Sequence, residues 1–384
     1  MRPKYTPNER NDIDVKDELA FKDFCEDREL ADRTIQLYRM HLNKYCNFIG
    51  KTLEELLDEA EEEQENNVRM RKRKINRYLK DYRRYLTEAG YKESTIKMRM
   101  IDVMAFFGHY DIIMAKPKRK LSRKAKIPKN IQDIKSIPTL EEIQRFMECL
   151  NEVYRVVLLF GVSSGMGSSE IGSLTYKDLY EACELYPYPK TLPELIEKLK
   201  NKGHFIPTWR ITRVKTGVKY FTFTSPELMK HLIIYLELYN KKYPNFIPKP
   251  ENHLLRSLKR VGVGKSYPIV PQVIAKRFWY TNEKHGFRKY KGKYVLVSHG
   301  FRKYFATTLE KSKMPHLIIR KLLAHNIDNT TGAYFKIDEK TAKKEYIEVV
   351  NELSTDKVEV QQINIYEDIE NIKLDMVKLK KKIG

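Results

Sequence analysis

Apolar and aromatic residues recur at helical spacing through the first hundred residues of the chain, and this pattern limits the region to a set of packed helices. One such series covers residues 34–48 and a second covers residues 75–86. A third helix is expected after Ser94 and Thr95, where two hydroxyl residues precede another apolar series. The faces opposite the apolar residues carry mainly Lys and Arg, whereas a solvated helix face usually mixes both signs of charge.

The formal net charge of the chain is +22, from 73 Lys and Arg residues against 51 Asp and Glu residues in 384. Such a charge repels itself in the folded state and therefore favours a polyanionic partner. Nucleic acid is the first candidate, an anionic membrane surface is the second, and a generally basic composition without a partner is the third. The cations expected to contact phosphates from the N-terminal helices are Arg71, Lys72, Arg73, Lys74 and Arg77.

The composition disfavours several other classes of protein. No apolar run approaches the ~20 residues that a membrane-spanning helix needs, and the first twelve residues lack the apolar segment of a secretory signal. The four cysteines lie far apart without a CxxC pair, so they fit neither a zinc site nor a disulfide framework. We therefore expect a cytoplasmic protein with no membrane segment, no metal and no other cofactor.

A basic segment separates two predicted domains. Residues 115–130, AKPKRKLSRKAKIPKN, contain two prolines and eight Lys or Arg residues without an apolar period. This segment cannot bury enough surface to fold alone, so we expect a linker whose Lys118, Arg119 and Lys120 contact DNA. The predicted parts are a helical DNA-binding domain at 15–113, the linker at 114–135, a second domain at 136–350 and a C-terminal helix at 351–384.

Local signals place elements in the second domain and in the C-terminal segment. Thr139 and Glu142 have the spacing of a capping box at a helix start. Residues 209–224, WRITRVKTGVKYFTFT, have the composition of a β-hairpin around Lys-Thr-Gly. Apolar residues over 358–383 follow a heptad seam. That helix either docks on a neighbouring subunit or packs back on its own domain.

The sequence HGFRKY occurs twice, at residues 285–290 and 299–304. Only the second copy has partners downstream, because LLAH ends at His325 and Tyr334 follows nine residues later. The first copy leads into KGKYVLV, which has the composition of a strand. We interpret the second copy as the active-site motif. The first copy, with Arg288, is either a basic loop that faces DNA or a neutral duplication.

This combination resembles the tyrosine recombinase (phage integrase) family over about residues 15–350. The family carries HxxR, an LLGH-like motif and a nucleophilic tyrosine nine residues later, and the matching residues here are HGFR, LLAH and Tyr334. The resemblance implies a mainly α fold with a small β-sheet, in which a helical (SAM-like) core-binding domain and a catalytic domain form a C-shaped clamp around duplex DNA. It also implies a homotetramer on two duplexes, with C-terminal segments exchanged between neighbours.

The resemblance implies that Tyr334 attacks a phosphodiester and forms a 3′-phosphotyrosyl link. The attack creates a crowded, doubly negative pentavalent phosphorus. Arginine binds two oxygens of such a group at once and does not lose its proton, and Arg302 fits that role. Because the link retains the energy of the broken bond, rejoining the strands needs neither ATP nor a metal.

The remaining implied catalytic residues handle protons and phosphate oxygens. His299 would bind a phosphate oxygen or help to accept the tyrosine proton, and His325 would donate to another oxygen. Lys215 corresponds to the lysine of the family's β-hairpin and would protonate the departing 5′-oxygen. Lys219, across the turn, is the alternative.

The chain departs from the family at one position. The family motif TGxRxxEL contains an arginine, and the matching stretch SGMGSSEI at residues 164–171 holds Gly167 there. Arg155 lies roughly 18 Å away along a helix, which is too far for the same phosphate. Arg210 and Arg213 on the hairpin are nearer replacements. Losing one donor to a transition state typically costs on the order of 10²–10³ in rate.

The predicted function is site-specific DNA recombination, as in the integration or excision of a mobile element. The alternative, favoured by Gly167, is an impaired recombinase that occupies DNA or supports an active partner without cutting. A type IB topoisomerase shares the chemistry, but the N-terminal helices resemble a core-binding domain better.

Overall fold

The computed structural model describes residues 12–115, 134–259, 266–325 and 338–355. The chain divides into two compact units, Met1–Ile127 and Pro128–Gly384. The fold is mostly helical with two small two-stranded sheets, which confirms the predicted mainly α class. No helix in the described ranges is long and apolar enough to cross a membrane.

Several predictions concern residues outside the described ranges. They are the linker cations Lys118, Arg119 and Lys120, the tyrosine Tyr334, and the heptad helix over 358–383. These stay predictions, as do the four domain boundaries.

The first unit is a set of packed helices. They are α1 (Leu19–Asp27), α2 (Asp32–Ile49), α3 (Leu53–Glu65), α4 (Lys74–Glu88) and α5 (Glu93–His109). The two apolar series in the sequence form the buried faces of α2 and α4, where Tyr45 and Tyr82 pack edge to face with ring centroids 5.2 Å apart. His41 and Asp102 form a buried pair between α2 and α5, with 2.5 Å between Nδ1 and Oδ2.

The basic residues that we predicted on one helix face have different surroundings in the structure. Helix α4 begins only at Lys74, so Arg71 and Lys72 lie in the exposed turn before it. Arg73 is only 8% exposed, and its guanidinium donates to the side chain of Gln64 at 2.8 Å and to two backbone carbonyls. Arg73 therefore does not lie on the exposed basic surface, because its side chain joins the end of α3 to neighbouring backbone.

Lys74 and Arg77 are exposed and lie beside acidic side chains. The Nζ atom of Lys74 is 2.7 Å from a carboxylate oxygen of Glu59, and Nε of Arg77 is 3.8 Å from one of Asp81. Exposed ion pairs contribute little stability, so phosphates can compete for both cations.

The second unit contains the remaining elements. Its helices are α6 (Leu140–Glu148), α7 (Glu152–Ser164), α8 (Ser168–Ser173), α9 (Tyr176–Ala182), α10 (Leu192–Asn201), α11 (Pro226–Lys242), α12 (Pro271–His285), α13 (Ser298–Lys311), α14 (His316–Leu322) and α15 (Glu339–Leu353). Its strands are β1 (Thr208–Thr212), β2 (Lys219–Phe223), β3 (Lys289–Tyr290) and β4 (Lys293–Tyr294). Strands β1 and β2 pair antiparallel, which confirms the predicted hairpin, and α6 begins with the predicted capping box.

Helix α7 lies at the centre of this unit. Residues 156–164 are all buried, because the sequence there is apolar on every side of the helix. Helix α13 crosses it so closely that a Cβ added at Gly161 would lie 3.1 Å from Cβ of Phe301. Helix α15 packs on the same helix, and the hydroxyl of Tyr346 donates to the carbonyl of Ser163 at 2.7 Å. This packing fixes the position of α13, which carries the second HGFRKY.

The two copies of HGFRKY adopt different structures. In the first copy His285 ends α12, Gly286 takes a left-handed φ of 64°, and the last two residues form β3. Only Lys293–Tyr294 of the predicted strand KGKYVLV is a strand, because the chain turns back after β3 to form a short hairpin. The second copy lies in the first half of α13, where a Cβ at Gly300 would overlap the carbonyl oxygen of Val295.

Arg288 of the first copy is engaged within the protein. Its guanidinium makes two bonds to the Glu142 carboxylate, at 2.6 and 2.9 Å, and donates to the carbonyls of Lys135 and Ile137. Glu142 is also the acceptor of the capping box, where the backbone N–H of Thr139 donates to it at 2.9 Å. Arg288 therefore fastens β3 to the start of α6. The DNA contact predicted for Arg288 stays a prediction, and the structure shows its guanidinium bound to Glu142 and to backbone carbonyls.

We expect Arg288→Ala to lower the free energy of unfolding of the second unit by roughly 1–3 kcal/mol, because it removes charge-assisted bonds at a helix start. Both tryptophans, Trp209 and Trp279, lie in this unit, so their fluorescence in a urea titration reports on it. The exposed His285 of the same motif gives the control variant His285→Ala. Equal stability of the two variants would contradict the structural role of Arg288.

Candidate active site

The candidate site is built on the turn that follows α14. From α13, Arg302 donates one hydrogen bond to the carbonyl of Gly165, at 2.5 Å, and another to the carbonyl of Leu323. Arg213, immediately after β1, donates to the next carbonyl, that of Ala324, at 2.6 Å. Two guanidinium groups from distant parts of the sequence therefore hold consecutive carbonyls of one turn.

The bonds to the turn do not neutralise the positive charges of these two arginines. Their hydrogen-bond acceptors are neutral carbonyls, and a guanidinium has five N–H donors. Arg302 uses two donors and Arg213 uses one in bonds to the described residues. Burial, and to a smaller extent the charge of Arg213, lower the pKa of Arg302 from its usual value. The pair therefore has unused donors for a further anionic group.

Two of the sequence-predicted histidines lie beside these arginines. Burial lowers the pKa of His299, in the first turn of α13, and the charges of Lys303 and Arg302 lower it further. Burial also lowers the pKa of His325, which follows the turn, together with the charges of Arg302 and Arg213. Both imidazoles are therefore neutral near pH 7 and able to donate or accept one hydrogen bond.

A cavity of about 930 Å³ opens beside the turn. Its basic lining residues are Arg213, Lys219, His316, Arg320, Lys321 and His325. Tyr220 also lines the cavity, and its buried hydroxyl has no hydrogen-bond partner among the described residues. This lining suits an anion.

The hairpin places the two candidate lysines differently. Lys215 lies in the exposed connection between β1 and β2, whereas Lys219 begins β2 and lines the cavity. The connection is closed by the N–H of Gly217, which donates to the carbonyl of Arg213 at 2.8 Å. The structure therefore brings Lys219 to the cavity wall and leaves Lys215 on a turn at its edge.

Gly167 precedes α8 with an ordinary φ of −85°. Its N–H donates to a carboxylate oxygen of Glu170 at 3.1 Å. A Cβ added at Gly167 would approach that same oxygen, at 2.7 Å, and the side chain of Glu170 can move because the contact is with its tip. An arginine side chain is therefore compatible with the backbone at this position.

The two hairpin arginines that could replace the absent arginine have different surroundings. Arg210 makes two bonds to the Glu339 carboxylate at the start of α15, at 3.0 and 2.5 Å. Arg213 instead reaches the turn before His325. Arg155 donates to carbonyls at the end of α6. Of the three, only Arg213 contacts the candidate site.

The model of the phage integrase family matches residues 198–341. These residues form a phage integrase domain. No curated protein matches the chain in sequence. Among solved structures, the Tn1549 transposon integrase in complex with transposon right end DNA is 15% identical, with a TM-score of 0.50, and the alignment covers 88% of this chain and 99% of that chain. The XerH site-specific recombinase bound to a palindromic difH substrate is 17% identical, with a TM-score of 0.47 and coverage of 84% and 82%.

The integrase domain contains every predicted catalytic residue. These are Lys215, His299, Arg302, His325 and Tyr334. The first four lie in the described ranges, around one turn and the adjacent hairpin, while Tyr334 lies outside them. The loop with Gly167 precedes the matched range. Among the described residues, no group of three or more His, Cys, Asp or Glu side chains could hold a metal ion.

Sequence reasoning missed several residues of the cavity wall in the integrase domain. They are Tyr220, His316, Arg320 and Lys321. A signal was present for two of them, because His316 and Arg320 are four residues apart on one helix and therefore share a face. The orphan hydroxyl of Tyr220 had no comparable signal, since aromatic residues in a hairpin are ordinary.

We expect the integrase domain to lose stability as the pH falls from about 7 to 5.5. The unfolded chain protonates His299 and His325 near pH 6.5, whereas the folded state lowers the pKa of both. Unfolding therefore takes up protons in this window, and the free energy of unfolding falls with pH. Urea titrations at several pH values would measure the free energy of unfolding of the wild type and of the double variant His299→Asn/His325→Asn. The free energy of unfolding of the double variant should depend less on pH. Identical pH dependences of the wild type and the double variant would contradict the lowered pKa values of the two histidines. The control is His285→Asn, which changes an exposed histidine.

Proposed function

We propose that this chain is a site-specific DNA recombinase whose integrase domain cuts and rejoins duplex DNA through a 3′-phosphotyrosyl intermediate on Tyr334. The observation that carries the proposal is the charge of the site. Arg302 and Arg213 hold consecutive carbonyls beside a basic cavity, and both keep unused donors. A phosphodiester passing to a doubly negative transition state is a suitable occupant.

In this proposal the oxygen of Tyr334 attacks the scissile phosphorus while the bond to the 5′-oxygen breaks. The unused N–H groups of Arg302 bind the non-bridging oxygens, where the negative charge increases. The two carbonyl bonds hold the guanidinium in place before DNA binds, so little reorganisation remains for the transition state. The new phosphotyrosine is cleaved by a 5′-hydroxyl in the reverse step.

The proposed proton transfers use the two histidines and one of the two hairpin lysines. Neutral His299 accepts the phenolic proton of Tyr334, which its lowered pKa permits because the imidazole is unprotonated near pH 7. His325 donates to a phosphate oxygen. The departing 5′-oxygen takes a proton from Lys215, after the exposed turn moves over the DNA. Lys219, on the cavity wall, is the alternative donor.

Binding of duplex DNA is proposed to use cations of both units. Arg71, Lys72, Lys74 and Arg77 of the first unit are exposed and suit phosphate contacts. The linker cations are proposed to follow the backbone, and four protomers are proposed to act on two duplexes, with the heptad helix docking on a neighbour. The proposed place of action is the cytoplasm.

A second candidate function is an impaired recombinase that binds DNA without cutting it. The observation that favours it is the loop of Gly167, where the carboxylate of Glu170 caps the backbone. Gly167 therefore supplies no cation where the family resemblance implies one, and the carboxylate beside it repels a phosphate.

Covalent trapping on nicked duplexes tests the proposal. We expect the wild type to give a protein–DNA adduct on a denaturing gel and Tyr334→Phe to give none, because the phenyl ring has no nucleophilic oxygen. The duplexes would come from a random pool or from the ends of the element that encodes the protein. An adduct that appears only with Gly167→Arg would instead support the impaired protein. An adduct retained by Tyr334→Phe would contradict the nucleophile.

The two copies of HGFRKY provide a matched comparison of catalytic roles. We expect His299→Ala and Arg302→Ala to slow adduct formation by about 10²–10³ or more, because each removes a group from the transition state. His285→Ala changes the corresponding exposed residue of the first copy and should leave the rate within about twofold. Rates of adduct formation on one nicked duplex would be compared. Equal defects from His285→Ala and His299→Ala would contradict the assignment of the second copy.

A further inference from the structure

We propose that Arg213 is a second phosphate-binding guanidinium of this site and supplies the charge that Gly167 does not. The inference rests on the proposed function, since it concerns the scissile phosphate of the same reaction. It differs from the family resemblance, which implies an arginine in the loop after α7. Here the arginine would come from the β1–β2 hairpin, at the residue that follows β1.

The position of Arg213 is the first support. Its Nη1 atom lies 2.6 Å from the carbonyl of Ala324, and Arg302 donates to the carbonyl of Leu323, one residue earlier. Consecutive peptide units lie about 3.8 Å apart along the chain. The two guanidinium groups are therefore anchored to neighbouring peptide units, and the proposal places one phosphate between them, with a separate non-bridging oxygen for each.

The charge around Arg213 is the second support. Each of Arg302 and His325 has its pKa lowered in part by the nearby charge of Arg213, so these groups are close enough to repel one another. No carboxylate forms an ion pair with Arg213 or Arg302 among the described residues. The charge of Glu170 also acts on Arg302 and raises its pKa, with a smaller effect than that of Arg213. Two like charges held close together still favour a bound anion.

The hydroxyl of Tyr220, which has no hydrogen-bond partner among the described residues, is the third support. Buried hydroxyl groups nearly always have a hydrogen-bond partner, and a group without one indicates that a partner is missing. Tyr220 lines the same cavity as Arg213, and both belong to the hairpin. A phosphate in the cavity would lie next to Arg213, and it would accept from the buried Tyr220 hydroxyl once that side chain turns toward the cavity.

A purely structural role for Arg213 is the competing explanation. Its bond to Ala324 joins the hairpin to the turn before His325, and removing it could displace His325 without any direct contact to phosphate. The two explanations predict different results when Gly167→Arg is added to Arg213→Ala. An arginine placed at Gly167 restores charge from the loop after α7 but does not restore the bond between the hairpin and the turn.

The test uses the full chain as wild type, Arg213→Ala, and Arg213→Ala with Gly167→Arg. Arg210→Ala is the control, since Arg210 lies on β1 three residues before Arg213 and pairs with Glu339. The first measurement is a titration with inorganic phosphate, in which the NMR signals of the ring protons of His299 and His325 report binding. We expect Arg213→Ala to weaken phosphate binding roughly tenfold to a hundredfold, the double variant to recover at least part of it, and Arg210→Ala to match the wild type.

The second measurement is the rate of adduct formation on a nicked duplex. We expect a loss of about 10²–10³ for Arg213→Ala and recovery of at least about tenfold in the double variant. A defect in both measurements that Gly167→Arg does not relieve overturns the proposal in favour of a structural role. An adduct rate unchanged by Arg213→Ala also overturns it while leaving the recombinase proposal intact.

The two measurements separate this inference from the proposed function. Phosphate binding that depends on Arg213, in a protein that forms no adduct with DNA, would contradict the recombinase and support the anion site. A wild type that neither binds phosphate near His325 nor forms an adduct would contradict both.

Discussion

Hydrogen bonds from Arg302 and Arg213 to the consecutive carbonyls of Leu323 and Ala324 hold the candidate site together. They connect helix α13, the β1–β2 hairpin and the turn after α14, and a further bond from Arg302 to Gly165 adds the loop after α7. Because every acceptor is a neutral carbonyl, these bonds fix the guanidinium groups without cancelling their charge. The result is a partly buried cationic site with unused donors, which is the preorganised arrangement that the proposed reaction requires.

Such a site opposes folding, since it collects like charges in partly desolvated positions. The second unit can hold them because α7 is buried on every side and α13 lies close against it at Gly161. The histidines respond to the same repulsion, because burial and the neighbouring arginines lower the pKa of both His299 and His325. Charge at the site is therefore concentrated on arginine, while the imidazoles stay neutral and available for proton transfer.

Features with a local cause could be predicted from the sequence. The capping box at Thr139, the hairpin and the helices of the first unit follow from spacing within a few residues. Features that depend on residues far apart in the sequence could not be predicted in this way. Arg73 and Arg288 look like surface cations in the sequence, but their partners come from other elements, and Glu142 is 146 residues from Arg288. The two HGFRKY copies make the same point, because six identical residues run from a helix end through a turn into a strand in one context and lie within a helix in the other.

The most direct test of the account is to identify the residue that carries the DNA. The wild type would be trapped on a nicked duplex, the DNA digested to a short remnant, and the peptides mapped by mass spectrometry. The account predicts a nucleotide joined through a 3′-phosphate to Tyr334. A remnant on another residue, such as Tyr220, would contradict the assigned nucleophile. Tight DNA binding with no covalent remnant on any peptide would contradict the recombinase.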